Sequence, residues 1–286
     1  MTLIEGTKRA YAPSPRPSFD RPTAITRRDV TRHIWGDGTA GEVADFIYAS
    51  TDKIHCLMFA LPTGGKFTHS PEFRTVFGAD EMLYVLSGTM VIANPETGEV
   101  HKVRQGASVS FGPDTWHHVF AHGGEPLRIL EFLCPPPSAG TTGSYARTRP
   151  YLDEVSYGRD DRLGVPGGPR DRPADTIRAI AETDIEWRRD LGVLTGVLTS
   201  TDNLTALTLE INPSEISRQH VHGGDELLFV TAGNLWVRVW HSDSTYVFEL
   251  GPEDACFIPA GAEHEYRNYS ADVAEAVIGV APRYLP

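Results

Sequence analysis

The stretch RQHVHGGDELLFV, Arg218 to Val230, sets two histidines one residue apart, follows them with Gly223 and Gly224, and opens an apolar run with the carboxylate of Glu226. Residues i and i+2 of an extended chain point the same way, so His220 and His222 aim together while Val221 points away. The two glycines allow a tight turn, after which Glu226 returns on the next strand and adds an oxygen. Further on, IPAGAEHEYRN, Ile258 to Asn268, brings His264 just past a Pro/Gly turn as a fourth candidate ligand. Three nitrogens and one oxygen, without thiolate, suit iron, manganese, nickel, copper or zinc better than calcium or magnesium. A lone histidine near a turn is usually incidental, but four candidate ligands of matching strand parity argue against that reading.

The same segment is half of a repeat. DEMLYVLSG, Asp80 to Gly88, matches DELLFVTAG, Asp225 to Gly233, and FGPDTWHH, Phe111 to His118, matches IPAGAEHE, Ile258 to Glu265. Around both copies, short β-rich segments alternate with Gly, Pro, Asn and Asp punctuation, the pattern of a sandwich or barrel. Two homologous β-domains are expected at 31–140 and 176–286. Residues 1–30, with four prolines between Pro13 and Pro22, read as an extended arm. The tract 141–175 has no convincing periodicity and reads as a linker or surface-wrapping segment, with a lid over a barrel mouth as one role for the connection from Pro135 to Arg172.

Composition narrows the function classes. The 286 residues carry a formal net charge of −12, which argues against nucleic acid and membrane surfaces and favours a small-molecule partner. Cys56, Cys134 and Cys256 are widely separated and include no CxxC pair, so neither a disulfide framework nor a thiolate metal site is indicated. With no apolar leader and no run approaching a spanning helix, a cytoplasmic location is expected. No phosphate-binding loop, dinucleotide fingerprint or Ser/His/Asp motif stands out.

The spacing of His220, His222, Glu226 and Gly233, followed by Pro259, Gly261, His264 and Asn268, resembles the paired motifs of the cupin superfamily. One departure is Glu253, which stands where a glycine usually opens the second motif. The resemblance implies an all-β chain of two cupin-type double-stranded β-helix (jelly-roll) barrels in tandem, with His220, His222, Glu226 and His264 as metal ligands. In the first repeat Glu81 and Gly88 keep their places, but the histidine positions counted back from Glu81 hold Thr75 and Phe77. Counting forward from Pro62 instead reaches His69, so His69, Glu81 and His117 form a candidate second metal set, beside the alternative of a degenerate barrel kept for packing.

Parity with the ligands puts Tyr266 and Arg218 on the inward face, as candidate proton donor and anion contact respectively. The resemblance further implies an Fe(II)-dependent bicupin dioxygenase acting on a small cyclic or enolisable substrate with O2, with Mn, Ni, Cu or Zn as other metals. A non-redox isomerase or lyase using Zn or Mn is the alternative, and a metal-binding bicupin without catalysis is a third reading. Cupins usually pair through strand edges and arms, so a homodimer is expected.

Overall fold

A computed structural model describes residues 14–137 and 176–286, and the expected linker at 141–175 falls outside the described residues. Every strand ladder is antiparallel, and two seven-stranded sheets dominate. The first runs Ile177–Ile180, Ser108–Phe111, Asp80–Ser87, Leu127–Cys134, His55–Leu61, Gly41–Ser50, Thr31–Asp37 and is closed by a smaller sheet of Lys66–Phe67, His118–Ala121, Thr89–Asn94 and Glu99–Arg104. The second runs Thr23–Ile25, Ala255–Ile258, Asp225–Ala232, Ala274–Ala281, Thr205–Ile211, Leu194–Ser200, Glu186–Arg188, closed by Ser244–Leu250, Leu235–His241 and Glu263–Arg267. The chain is thus all-β, two jelly rolls in tandem. No helix among the described residues is long and apolar enough to cross a membrane.

Period-2 patterning makes these strands. In Leu235–His241 the residues Leu235, Val237 and Val239 are fully buried inside the second barrel, while Trp236, Arg238 and Trp240 stand half-buried on the outer face. Strands of the large sheets read differently, because both of their faces are covered. Asp225–Ala232 and Leu127–Cys134 are near-continuous apolar runs: one face fills a barrel and the other meets the neighbouring barrel.

That second face forms a core shared by the barrels, in which Tyr48, Met58, Met82 and Phe132 of the first pack with Leu227, Phe229, Phe257 and Val277 of the second. Each such fully buried side chain contributes about 1.5–3 kcal/mol relative to exposure, so separating the barrels is strongly unfavourable. The fit is tight: a Cβ at Gly279 would lie 2.4 Å from the Phe132 ring. The three cysteines are free and buried, Cys56 and Cys134 in this shared core and Cys256 inside the second barrel, and burial pushes the thiols up.

Each barrel also lends the other a strand. Thr23–Ile25 pairs with Ala255–Phe257 of the second sheet, so the described end of the extended arm is built into the far barrel of its own chain. Ile177–Ile180, expected in the second domain, instead extends the first sheet against Ser108–Phe111. Polar latches follow the repeat. Asp80 accepts from Thr201 Oγ1 at 2.8 Å and Asn203 Nδ2 at 2.9 Å, while its counterpart Asp225 accepts from Lys53 Nζ at 2.9 Å and Thr51 Oγ1 at 3.4 Å. The aspartate opening each DE motif is therefore an inter-barrel tie. Glu253 has a similar use: it holds a left-handed backbone (φ 69°), its carbonyl accepts from Tyr48 Oη, and its carboxylate meets Arg27 and Arg128. A glycine there, as at Gly106 in the first barrel, would be relaxed but would leave those arginines without this partner.

Candidate metal centre

His220 and His222 lie on an extended segment without a regular ladder, tied to the second motif by reciprocal backbone bonds. His220 N donates to His264 O at 3.0 Å and His264 N to His220 O at 2.9 Å, while Gly261 N donates to His222 O. Glu226 follows on Asp225–Ala232 and His264 sits on Glu263–Arg267, so the four side chains enter the barrel from facing elements. One ligand atom from each of His220, His222, Glu226 and His264 falls within 4.8 Å of all the others.

The imidazoles are oriented in the same manner. Their Nδ1 atoms meet backbone carbonyls: His220 that of Arg218 at 2.8 Å, His222 that of Tyr284 at 2.7 Å, and His264 that of Ala262 at 2.9 Å. A carbonyl can only accept, so each Nδ1 carries the hydrogen and each Nε2 presents its lone pair inward. Glu226 Oε2 lies 3.3 Å from His222 Nε2 and 3.1 Å from His264 Nε2. His222 Nε2 and Glu226 Oε2 are buried without a hydrogen-bond partner, a costly state that a cation between them relieves. The donors present fit a divalent transition metal held by three nitrogens and one carboxylate oxygen.

The electrostatics agree. Burial pushes His220 down to about 4, with the neighbouring His264 adding to the effect, which keeps it neutral and ligating. Burial pushes the Glu226 carboxyl up, but the pull of His264, His222 and His220 outweighs it and carries it down to about 2. Burial lowers His264, yet the Glu226 carboxylate more than reverses this and leaves it raised.

Tyr266 is fully buried beside these atoms: its Oη donates to Glu226 Oε1 at 2.8 Å and stands 3.3 Å from His264 Nε2 and 3.4 Å from His220 Nε2. Arg218 is not where strand parity places it. Its side chain is exposed and donates to Asp190 O at 2.9 Å, because the chain before His220 leaves the ladder pattern; what it gives the site is its carbonyl. Gly223 and Gly224 form the expected bend before the next strand, with neither at a positive φ. They make room: a Cβ on Gly224 would lie 2.3 Å from Ala281 O, and one on Gly223 2.5 Å from Leu285 O. The C-terminal tail crosses the turn there, placing the Tyr284 carbonyl on His222 and the Tyr284 ring 4.5 Å from its ring.

In the first barrel the candidate set His69, Glu81 and His117 does not assemble. His69 turns to His118, with Nδ1 2.6 Å from His118 Nε2, and consecutive residues of an extended chain point apart, so that ring lies on the opposite side from His117. Glu131 takes the place expected for His69, within 4.8 Å of Glu81 and His117. Its signal in the sequence is a single carboxylate in the otherwise apolar strand that follows Arg128.

Two barrels packed back to back, one with a three-histidine, one-carboxylate centre, define a bicupin. The chain belongs to the cupin superfamily: the family described as Cupin domain matches residues 71–133 and 207–279. Oxalate decarboxylase from Bacillus subtilis at pH 4.6 is similar in structure, with a TM-score of 0.66 at 13% identity over 95% of this chain and 79% of that one. The Lactobacillus farciminis oxalate decarboxylase formate complex has a TM-score of 0.65 at 13% identity, over 92% of this chain and 87% of the other. At such identity the likeness concerns the fold. No curated protein matches the chain in sequence.

Proposed function

We propose that the second barrel is a mononuclear metal centre, with Mn(II) as its metal, and that the protein is a non-redox lyase acting on a small acid or keto acid that binds through oxygen. The observation that carries this reading is the convergence of His220, His222 and His264 Nε2 on Glu226 Oε2, with two of those four atoms otherwise unsatisfied. A bound divalent ion supplies a Lewis acid that polarises a substrate oxygen. Support for manganese and for carbon–carbon cleavage comes from the structural neighbours, which are oxalate decarboxylases, one of them described with Mn(II) centres.

The chain's own part is to hold the donors and to handle a proton. Three backbone carbonyls fix the imidazoles in one tautomer, so no reorientation is needed when a ligand binds. Tyr266 is the proton carrier. Burial pushes its phenol well above the usual range, and the neighbouring Glu226 adds to the shift, so the hydroxyl stays protonated at neutral pH. Loss of carbon dioxide would leave the bonding electron pair on the retained substrate carbon, which needs a proton; Tyr266 Oη, beside Glu226, His264 and His220, is placed to give it and would be reprotonated from solvent.

The iron dioxygenase implied by the motif resemblance uses the same four donors, and the neighbours' chemistry supports the lyase instead. Mn(II)-loaded protein incubated with small 2-oxo and dicarboxylic acids under strict exclusion of oxygen is expected to release product. Turnover that appears only with iron and oxygen overturns the lyase reading.

A further inference from the structure

The first barrel has its own cavity, of about 70 Å³ and open to solvent at its mouth. Trp35, Phe59, Phe67 and Phe77 line it, and Asp45, Glu131 and His117 reach into it from the sheet walls. Strand register shows how this interior departs from that of the second barrel. Glu131 faces Leu83 where Ile278 faces Leu228, and Asp45 faces Phe59 where Thr195 faces Leu209. Thr75 and Phe77 occupy the positions, counted back from Glu81, that His220 and His222 hold relative to Glu226. Two ligand nitrogens are thus replaced by a hydroxyl and a ring, and two extra carboxyls stand in an apolar compartment.

Buried carboxyls are costly unless a hydrogen bond or a cation meets them; Glu81 and Glu131 hydrogen-bond to each other, which leaves Asp45 and the outer face of Glu131 towards the cavity. Two histidines line the cavity: His117, whose Nε2 is 3.8 Å from Glu81 Oε2, and His55, whose Nδ1 meets Ser50 Oγ at 2.9 Å. Arg16 lies at the cavity mouth but is turned to Ser50 Oγ and Thr51 O, both at 3.1 Å. Burial, with Glu131 as neighbour, pushes Asp45 and Glu81 well above the carboxylate range, and burial pushes Glu131 up to about 7. Independently of the acids, Thr75 Oγ1 is fully buried against the same cavity with no hydrogen-bond partner.

We propose that the first barrel binds a small organic cation, a primary ammonium on an apolar body, with the ammonium against Glu131, Asp45 and the Thr75 hydroxyl and the body against Trp35, Phe59 and Phe77. Three N–H donors match two carboxylates and a hydroxyl, and the ring faces add cation–π attraction. A bare metal ion is served less well, since Phe77 fills a ligand position and most of the wall is apolar. The proposal does not depend on the chemistry of the second barrel.

The test is calorimetric titration of the full chain with benzylammonium chloride and, separately, with benzyl alcohol as its neutral counterpart. Saturable binding of one benzylammonium per chain is expected, with benzyl alcohol weaker by roughly tenfold or more. Glu131→Gln should weaken the ammonium by a similar factor, while His222→Ala, in the other barrel, leaves it unchanged. Equal binding of the two probes, or no binding of the ammonium, overturns the proposal without reference to any variant. So does a second equivalent of Mn2+ bound by the wild type and lost in Glu131→Gln, which makes the cluster a metal site.

Discussion

Replacing Gly223 by alanine places a methyl carbon 2.5 Å from Leu285 O and 3.3 Å from Arg283 Cβ. Ordinary contact requires about 3.4 Å or more, so the tail must retreat by close to an ångström. Leu285 is exposed, and the tail can give way at little cost to the fold, within about 1 kcal/mol. The adjoining Tyr284 carbonyl moves with it. Its 2.7 Å bond to His222 Nδ1 then stretches past hydrogen-bond range, and His222 loses the partner that fixes its tautomer. Loss of an outer partner of this kind costs about 10- to 100-fold in metal affinity. Gly224→Ala differs, because Ala281 O, 2.3 Å away, belongs to the strand Ala274–Ala281 and cannot retreat; about 1–3 kcal/mol of stability should go as well. Competition against a chromogenic chelator gives the affinities, and thermal unfolding of the metal-free proteins gives the stabilities. Wild-type metal affinity in Gly223→Ala, with the tail still ordered, would refute the idea that the tail orients His222.

Tyr266→Phe removes one hydroxyl, so metal binding should stay within about an order of magnitude of wild type while turnover falls by roughly a hundredfold or more. Equal loss of both, measured by metal content and single-turnover rate, would make Tyr266 structural. The pH dependence of stability should have two signs. Glu131, raised to about 7 from 4.5, adds stability that is complete below 4.5 and lost as pH rises through 7. His117, depressed to about 4 from 6.5, lets the unfolded chain gain protons first, so stability falls as pH drops from 6.5 to 4. Melting curves of metal-free Glu131→Gln should show a shallower first slope, to which Asp45 and Glu81 also contribute, and keep the second; an unchanged profile would contradict the assignment. Glu253→Gly relieves a left-handed backbone worth about 1–2 kcal/mol but removes two part-exposed ion pairs of about 0–1 kcal/mol each, so stability should change by between about −1 and +2 kcal/mol. A loss of several kcal/mol would show that Arg27 and Arg128 hold the barrels together far more strongly.

What could be read in the sequence follows from which constraints are local. Strand parity, turn residues and the repeat lie within a few residues of one another, and from them the jelly rolls and the grouping of His220, His222, Glu226 and His264 could be expected. Partners distant in the chain were not legible. The tail that needs Gly223 and Gly224 lies some sixty residues beyond them, and nothing near the turn reports it. Arg218 was assigned inward by extending strand parity into a segment that forms one bridge only. The first barrel shows the same limit: an alternative count favoured His69, whereas Thr75 and Phe77, the plain reading of the motif, line the cavity. Glu131 enters from a strand outside both motifs. The strand exchange of Thr23–Ile25 and Ile177–Ile180 likewise depends on docking between barrels, which no periodicity encodes.

The central claim is that four side chains of the second barrel hold one metal ion. Elemental analysis of protein purified without chelators and reconstituted with Mn(II), alongside Glu226→Ala treated identically, tests it most directly. One ion per chain in the wild type and none retained by the folded Glu226→Ala is the predicted result. A wild type that retains no metal, or a Glu226→Ala that retains the full equivalent, would contradict it.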